Sequence, residues 1–280
     1  MRSTAHEFLA LTDELLPEQR VDAPERDAAV YRFSAIVGRD KKLAGGKTAH
    51  GVSALYLGGL RVFRGRGRQE MAGRMISGMR DLLVAPENEY LRIRATGVSS
   101  EGAAILVVAP QPEPRLPALA ALLAQKGFGF LGDELVKVEP VLNTAFPTPL
   151  PILVDELDAG RFPEARLDPP RPRSSRVEGM TPRRPLALAT VGGAFGAPAP
   201  VRWVVFPEFG ASKTELEPAE GSELVFAGAG ATLNMHVWRE RALVFLRRLL
   251  EEASVSRLRI ATIETAADAI ASAAPMVLGR

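Results

Sequence analysis

The stretch that most constrains the fold of this 280-residue chain runs from residue 102 to residue 139. Its apolar run ILVVA predicts a buried strand, and a proline-rich turn follows. The next residues have the spacing of an amphipathic helix that we expect to end at Gly127, because glycine is common just past a helix. A second strand then lies beside the acidic residues Asp133 and Glu134. The stretch therefore predicts a strand, a turn, a helix and a strand with an acidic pair.

The turn lies where a phosphate-binding loop would lie. Such a loop has the pattern G-x-x-x-x-G-K-[ST], because its glycines let successive backbone N–H groups point at a phosphate. Residues 109–116 read APQPEPRL instead. Prolines 110, 112, 114 and 117 each lack an N–H and fix φ, so the usual anion-binding arrangement cannot form. The frame of the unit is present and its phosphate-binding residues are missing.

Composition excludes several kinds of site. The chain is 46% hydrophobic and 24% charged, which is typical of a globular protein. It has no cysteine, so disulfides, thiolate metal sites and cysteine nucleophiles are excluded. A net charge of +2 does not by itself indicate nucleic-acid binding. We find no basic leader and no apolar run of about 18 residues, so we expect a cytoplasmic protein that does not enter membranes.

Residues 1–88 predict a β-rich part with two helices. The first helix is expected at residues 4–16, where apolar residues share one face before a proline. Short β-type runs between residues 31 and 63 predict an antiparallel meander, with a hairpin turn at residues 58–59. A second helix is expected at residues 69–84, and its methionine stripe favours core packing over a partner-binding face.

Residues 89–280 predict an α/β core. The remaining elements are expected as a strand at 90–98, an extended proline-containing edge segment at 140–154, a strand at 201–206, an amphipathic helix at 236–253, a strand at 258–263 and a helix at 265–274. Residues 164–184 are rich in arginine and proline and poor in apolar residues, so we expect a flexible excursion there.

The order of these elements, with ILVVA, LPALAALLAQKG, FGFLGDELVKVE and PTPLPILV in succession, resembles the HPr serine kinase/phosphatase-like proteins. These form the P-loop branch shared with phosphoenolpyruvate carboxykinases. The chain is more similar to the HPr-kinase-related proteins found beside peptide-modification and natural-product genes. The resemblance covers roughly residues 30–270. It implies an α/β fold with a mixed-sheet P-loop-kinase-like core and an N-terminal β-rich part.

The resemblance also assigns expected roles to residues of the central stretch. Asp133 and Glu134 match the acidic pair that holds magnesium and assists the reacting hydroxyl, so they are the expected catalytic remnant, with Asp133 as a metal ligand. Arg115 stands where the loop lysine would be, and Leu116 stands where the magnesium-binding Ser or Thr would be. Leu116 supplies no oxygen, and Glu113 would repel a phosphate. Without the resemblance, the acidic pair would be interpreted as a solvated turn.

Arginines elsewhere are candidates for nucleotide contacts. Arg183 and Arg184 lie at the end of the expected flexible excursion, and the resemblance implies a phosphate-contacting arginine in this segment. Arg94 sits near the position at which many relatives have a histidine, and this substitution weakens the expectation of catalysis.

Other signals are interpreted as structural. The sequence AGGKT at residues 44–48 lacks the first glycine of the loop pattern and no helix pattern follows it, so we expect a turn. Arg61, Arg64, Arg66 and Arg68 predict a charged turn before a helix. His6, His50 and His236 do not have the spacing of metal ligands.

Three functional hypotheses stay open. The first is a degenerate HPr-kinase-related protein that lacks efficient phosphotransfer, has no resident cofactor and acts as an accessory or scaffold protein by binding a protein partner. The second is an active ATP-dependent kinase of a peptide or small molecule, using ATP and magnesium through a remodelled loop. The third, nucleic-acid binding, is less favoured because no aromatic platform accompanies the arginines. The oligomeric state is left open.

Overall fold

The computed structural model describes residues 2–3, 6–16, 32–38, 41–42, 44, 48–49, 51–65, 68–84, 89–155, 158, 160–162 and 183–279. Within them, the helices are α1 His6–Leu15, α2 Arg68–Val84, α3 Leu116–Gln125, α4 Glu223–Ala231, α5 Met235–Trp238, α6 Glu240–Glu252 and α7 Ile263–Leu278. The first strands are β1 Arg2–Ser3, β2 Phe33–Ile36, β3 Lys41–Lys42, β4 Thr48–Ala49, β5 Ser53–Leu57, β6 Leu60–Gly65, β7 Leu91–Ile93, β8 Ala95–Ser100 and β9 Ala103–Val108. The others are β10 Gly129–Gly132, β11 Val136–Glu139, β12 Thr144–Phe146, β13 Ile152–Asp155, β14 Arg183–Leu186, β15 Ala199–Phe209, β16 Glu215–Pro218 and β17 Ser254–Ile260.

The main sheet has nine strands and mixes parallel and antiparallel pairs. Its longest path is β10-β8-β9-β15-β12-β11-β7, and β17 joins β15 and carries β16 at its other edge. Strands β9, β15 and β17 run parallel, and the remaining pairs on these paths are antiparallel. The predicted α/β class with a mixed sheet is therefore confirmed, while the P-loop descent of the core stays a prediction.

Helices cover both faces of the main sheet, which explains why β9 is apolar without alternation. Leu106 packs on one side in a core that includes Phe245 of α6. Ile105 packs on the other side in a core that includes Leu119 of α3 and Ile270 of α7. All six residues of β9 are buried. Strand β9, in the central stretch of the sequence, is thus buried between two layers of helices.

The N-terminal strands β1, β2, β5 and β6 form a separate four-stranded sheet under α2. Phe33, Leu55 and Phe63 pack against Met71 and Met75 of α2, so core packing of the methionine stripe is confirmed. The β5–β6 hairpin turns at Gly58 and Gly59, whose φ values of 57° and 94° suit glycine. The predicted hairpin is also confirmed.

The ribbon of β13 and β14 lies between α2 and α3. Leu153 packs in the core of the N-terminal sheet, whereas Ile152 and Val154 pack in the core beside α3. An added Cβ at Gly73 of α2 would come within 2.9 Å of the Arg183 carbonyl oxygen, so glycine permits the close approach of α2 to β14. The ribbon brings the two halves of the chain together, and a domain boundary at residue 88 stays a prediction.

Two sequence expectations were wrong. The helix expected at residues 236–253 is two helices, α5 and α6, because Arg239 between them adopts a φ of 51° that an α-helix cannot contain. Arg183 and Arg184, expected in a flexible segment, lie in strand β14 and pair with β13. Residues 163–182 of that segment lie outside the described residues.

Helix α4 was not predicted. Its sequence ELVFAGAGA contains two glycines, which lower helix propensity. Gly228 faces Leu246 of α6, and an added Cβ there would lie 3.4 Å from the leucine side chain. The helix is stabilised by this close tertiary packing, which the local sequence does not report.

Candidate functional site

Asp133 and Glu134 lie in the tight turn between β10 and β11. Glu134 has a φ of 58°, and the Leu135 N–H donates to the Asp133 carbonyl oxygen at 2.7 Å. An added Cβ at Gly132 would lie 2.3 Å from the Leu135 carbonyl oxygen, so the turn requires glycine before the acidic pair. The turn holds both carboxylates toward the β13–β14 ribbon and α2.

Arg80 of α2 binds both members of the acidic pair. Its Nη2 lies 2.7 Å from Asp133 Oδ1, and its Nη1 lies 2.7 Å from Glu134 Oε2. Arg183 of β14 also donates to Glu134 Oε2, at 2.6 Å. We call these four residues the acid–arginine cluster. Two guanidinium groups thus face two carboxylates, and the formal charges balance.

The cluster is largely withdrawn from solvent. The Asp133 side chain is 2% exposed, and the backbone N–H of Leu153 donates to its Oδ2 at 3.0 Å. Burial raises the pKa of Asp133 above its ordinary value, because desolvation penalises the charged carboxylate, and Arg80 opposes this shift. Removing one partner of such a buried pair typically costs about 3–5 kcal/mol, so the cluster is a structural element of the fold.

A divalent cation fits this arrangement poorly. Magnesium is held by carboxylate oxygens and water with near-octahedral geometry, and here guanidinium groups bind one oxygen of each acid while the Leu153 N–H binds the second oxygen of Asp133. Among the described residues, no group of three or more His, Cys, Asp or Glu side chains has the arrangement of a metal site. The metal role expected of Asp133 therefore has no further ligand in the described part of the chain.

Arg115 lies apart from the acid–arginine cluster. Its Nε and Nη2 donate to the two oxygens of Glu113 at 2.6 and 2.8 Å. Its guanidinium carbon lies 3.9 Å from the centre of the Phe209 ring, a cation–π distance. The hydrogen bond to Glu113 raises the pKa of Arg115, and partial burial opposes this shift. Arg115 is thus held by its own loop and by the end of β15.

Glu113 also fills the anion position at the start of α3. Its Oε1 accepts the backbone N–H of Arg115 at 3.1 Å, and its carbonyl oxygen accepts the N–H of Leu116 at 3.2 Å. In a phosphate-binding loop, N–H groups at this place point at the phosphate. Here they already bind acceptors from the same loop, and Pro117 in the first turn of α3 has no N–H to add.

Two arginines have roles that the sequence did not reveal. Arg94 donates through Nη1 to the Pro110 carbonyl oxygen at 2.8 Å and so holds the proline-rich loop. Arg80 was missed entirely, although a signal exists: Ala72, Ile76 and Arg80 lie at i, i+4 and i+8 on the buried face of α2. A basic residue on such a face predicts an acidic partner across the interface.

The other candidates lie elsewhere. Arg184 pairs with Val154 in the ribbon, next to Arg183. Lys41–Lys42 and Thr48–Ala49 pair as two short antiparallel strands around the AGGKT segment, and strand β5 follows, so no helix begins there; residues 45–47 lie outside the described residues. His6 begins α1 and His236 lies in α5, while His50 and Arg66 lie outside the described part of the chain.

Across the described helices, none combines the length and apolar character needed to cross a bilayer. The chain matches no protein-family model, no curated protein and no solved structure.

Proposed function

We propose that this chain is an HPr-kinase-like protein without efficient phosphotransfer, which acts by binding a protein partner as an accessory or scaffold component. The proposal combines the resemblance of the central stretch with the contacts of its acidic pair. In that family the pair would bind magnesium and assist a reacting hydroxyl. A protein whose pair is engaged otherwise has lost the main chemical means of phosphotransfer.

The observation that carries the proposal is the acid–arginine cluster. Arg80 and Arg183 place their guanidinium groups against Asp133 Oδ1 and Glu134 Oε2, so a magnesium ion bound by the pair would compete with two cations. Opening the cluster to admit a metal would leave buried charges without partners, which is costly. The cluster therefore favours a structural role for Asp133 and Glu134 over a catalytic one.

The loop before α3 supports the same proposal independently. Glu113 supplies an internal anion to the N–H of Arg115 and to its guanidinium, so an incoming phosphate would meet a carboxylate. Arg115 by itself is a cation without the backbone cradle that gives a phosphate loop its affinity. In both halves of the kinase-like site, the loop and the acidic pair, the charged groups thus already bind partners within the protein.

The partner-binding half of the proposal is supported by apolar side chains on the surface. Leu60, Val141, Leu142, Phe226 and Val244 are each at least 70% exposed. Large exposed apolar groups are common at protein interaction sites when they cluster. We expect at least one of these surfaces to contact another protein.

A phosphotransfer assay tests the proposal. The purified chain is incubated with magnesium and γ-labelled ATP, with peptide mixtures and cell extract as acceptors, beside the Asp133→Asn variant. We expect no labelled product above background for either protein. Labelling that the wild type performs and Asp133→Asn abolishes would show an active kinase and overturn the proposal.

A further inference from the structure

The N-terminal sheet has one face packed on α2 and one face that carries exposed side chains. Ala35, Leu55 and Phe63 are buried beneath α2 and lie in one cross-strand row. The next row contains Ile36, Ala54 and Arg64, which alternation places on the opposite face. Ile36 is 49% exposed and Arg64 is also exposed. This opposite face, together with the outer edge of β6, is called the β6 surface below.

Apolar groups are concentrated at the β6 surface. Val62 of β6 is 41% exposed, and Val52 just before β5 is 46% exposed. Val62 is the extra residue of a bulge, because Arg61 pairs with Tyr56 while Phe63 pairs with Leu55. Leu60 is 72% exposed at the end of the hairpin, but it shares a cross-strand row with Leu57 and Phe33 and so lies on the other face. Ile36, Val52 and Val62 are therefore the large exposed apolar residues at or next to the β6 surface within the described part of the chain.

The same region carries a strong positive charge. Residues 31–68 contain nine Lys or Arg and one acidic residue, a net charge of +8 in a chain whose total is +2. Within the β5–β6 hairpin, Arg61 and Arg64 are exposed and no residue is acidic. Such a field attracts acidic ligands and repels a second copy of the same surface, since pairing β6 with itself would bring arginines together.

Strand β6 also offers backbone hydrogen-bonding groups. It is the last strand of the sheet order β1-β2-β5-β6, and among the described residues it pairs only with β5. An extended peptide can add to such an edge, with main-chain hydrogen bonds giving affinity and side chains giving specificity. Alternate residues of that peptide would face the apolar side chains and the arginines.

We infer that the β6 surface binds an extended segment of a partner protein in which acidic and aliphatic residues alternate. The inference rests on the proposed function in taking a protein as the partner, and it specifies the partner's chemistry. Arg61 and Arg64 bind the carboxylates, Ile36 and Val62 contact the aliphatic side chains, and the β6 edge binds the backbone.

Single-stranded nucleic acid and anionic lipid suit this surface less well. Stacking of bases needs exposed aromatic rings, whereas Phe63 is buried under α2 and Tyr56 is partly buried. A lipid surface cannot use the N–H and C=O groups of the β6 edge. An acidic extended polypeptide uses the charge, the aliphatic groups and the edge together.

Fluorescence anisotropy with a labelled ten-residue peptide of alternating Glu and Val tests this inference. We expect saturable binding that weakens at least about tenfold in Arg61→Glu/Arg64→Glu and weakens as salt is raised. Arg202→Glu/Arg241→Glu is the matched control, because it reverses the charge of two exposed arginines on β15 and α6. This variant should leave the peptide affinity unchanged. Thermal unfolding checks that each variant is folded.

Three results would overturn the inference: no binding of the Glu/Val peptide at millimolar concentration, equal binding by the Arg61→Glu/Arg64→Glu variant, or tighter binding of a Lys/Val peptide, an oligothymidylate or phosphatidylserine vesicles. These results are separate from the phosphotransfer assay. If the chain binds the peptide and also transfers phosphate, the inference about the β6 surface stands and the proposed function is wrong. If the chain does neither, the inference about the β6 surface is wrong and the absence of phosphotransfer still agrees with the proposed function.

Discussion

Arg80 is the residue on which the acidic pair depends. It is 7% exposed, and its two terminal nitrogens bind one carboxylate each. Arg183 is more exposed, and among the described residues its ion pair is with Glu134 and not with Asp133. Loss of Arg80 would leave the buried Asp133 carboxylate beside Glu134, with the Leu153 N–H as its donor among the described residues.

We therefore expect Arg80→Ala to lower the free energy of unfolding by about 3–5 kcal/mol, because it leaves a buried carboxylate without its cation. Urea unfolding followed by circular dichroism measures the change. Lys213→Ala, which removes an exposed partner of Glu215, is the control and should leave the midpoint unchanged. Equal midpoints for wild type and Arg80→Ala would show that the cluster does not stabilise the fold.

The raised pKa of Asp133 gives a prediction about pH. The folded chain holds this proton to higher pH than the unfolded chain, so the stabilisation is complete below the unfolded pKa and is lost as pH rises through the folded pKa. Wild type should thus lose stability relative to Asp133→Asn as pH is raised from about 4. Urea titrations of both proteins at several pH values measure this difference. A wild type that gains stability relative to Asp133→Asn as pH is raised would mean that Arg80 dominates over burial.

At the scale of elements, the loop before α3 is closed by its own residues. Glu113 binds Arg115 twice through side chains and once through the backbone, and Arg94, just before β8, donates to the Pro110 carbonyl oxygen. We propose that the prolines and Glu113 both oppose phosphate binding, the prolines through missing N–H groups and Glu113 through charge.

The variant Glu113→Gln separates these two effects. It removes the negative charge and keeps the shape, and we expect a loss of stability of about 1 kcal/mol, because a partly exposed ion pair at a helix start is lost. We also expect no gain of ATP affinity, since the prolines remain. Calorimetry with ATP checks the second expectation, and micromolar affinity in the variant would show that Glu113 alone blocks the site.

The break between α5 and α6 provides another element-scale prediction. Arg239 has a φ of 51° and a ψ of −130°, which L-residues rarely adopt and glycine adopts readily. Arg239→Gly should raise the free energy of unfolding by about 1 kcal/mol, whereas Arg241→Gly inside α6 should lower it by a similar amount. Urea unfolding of both variants tests this contrast. A loss of stability in both would indicate that the Arg239 side chain contributes more than its backbone costs.

At the scale of the whole molecule, the sequence predicted what depends on local pattern. The apolar run of β9, the helix ending near Gly127 and the hairpin at Gly58 and Gly59 follow from periodicity and turn chemistry, and the structure confirms each. The acidic pair follows a strand as predicted, whereas the alternative interpretation as a solvated turn is wrong for Asp133, which is buried. These features are determined by residues that are close together in the sequence, so the sequence alone predicts them.

What the sequence did not predict depends on contacts between distant residues. Arg80 and Asp133 are 53 positions apart, and α2 meets the β10–β11 turn beside the β13–β14 ribbon, whose side chains enter two cores. Helix α4 depends on Gly228 packed against α6. The acids were thus found from pattern, but their engagement by arginine, which decides their role, required the tertiary structure.

The central claim is that the acidic pair and the loop before α3 are engaged by side chains of the protein itself and so do not bind nucleotide, and a calorimetric titration of ATP with magnesium into the wild-type chain tests it most directly. We predict no saturable heat up to millimolar nucleotide, with the folded state confirmed by thermal unfolding of the same sample. Micromolar affinity for ATP that requires magnesium would contradict the claim.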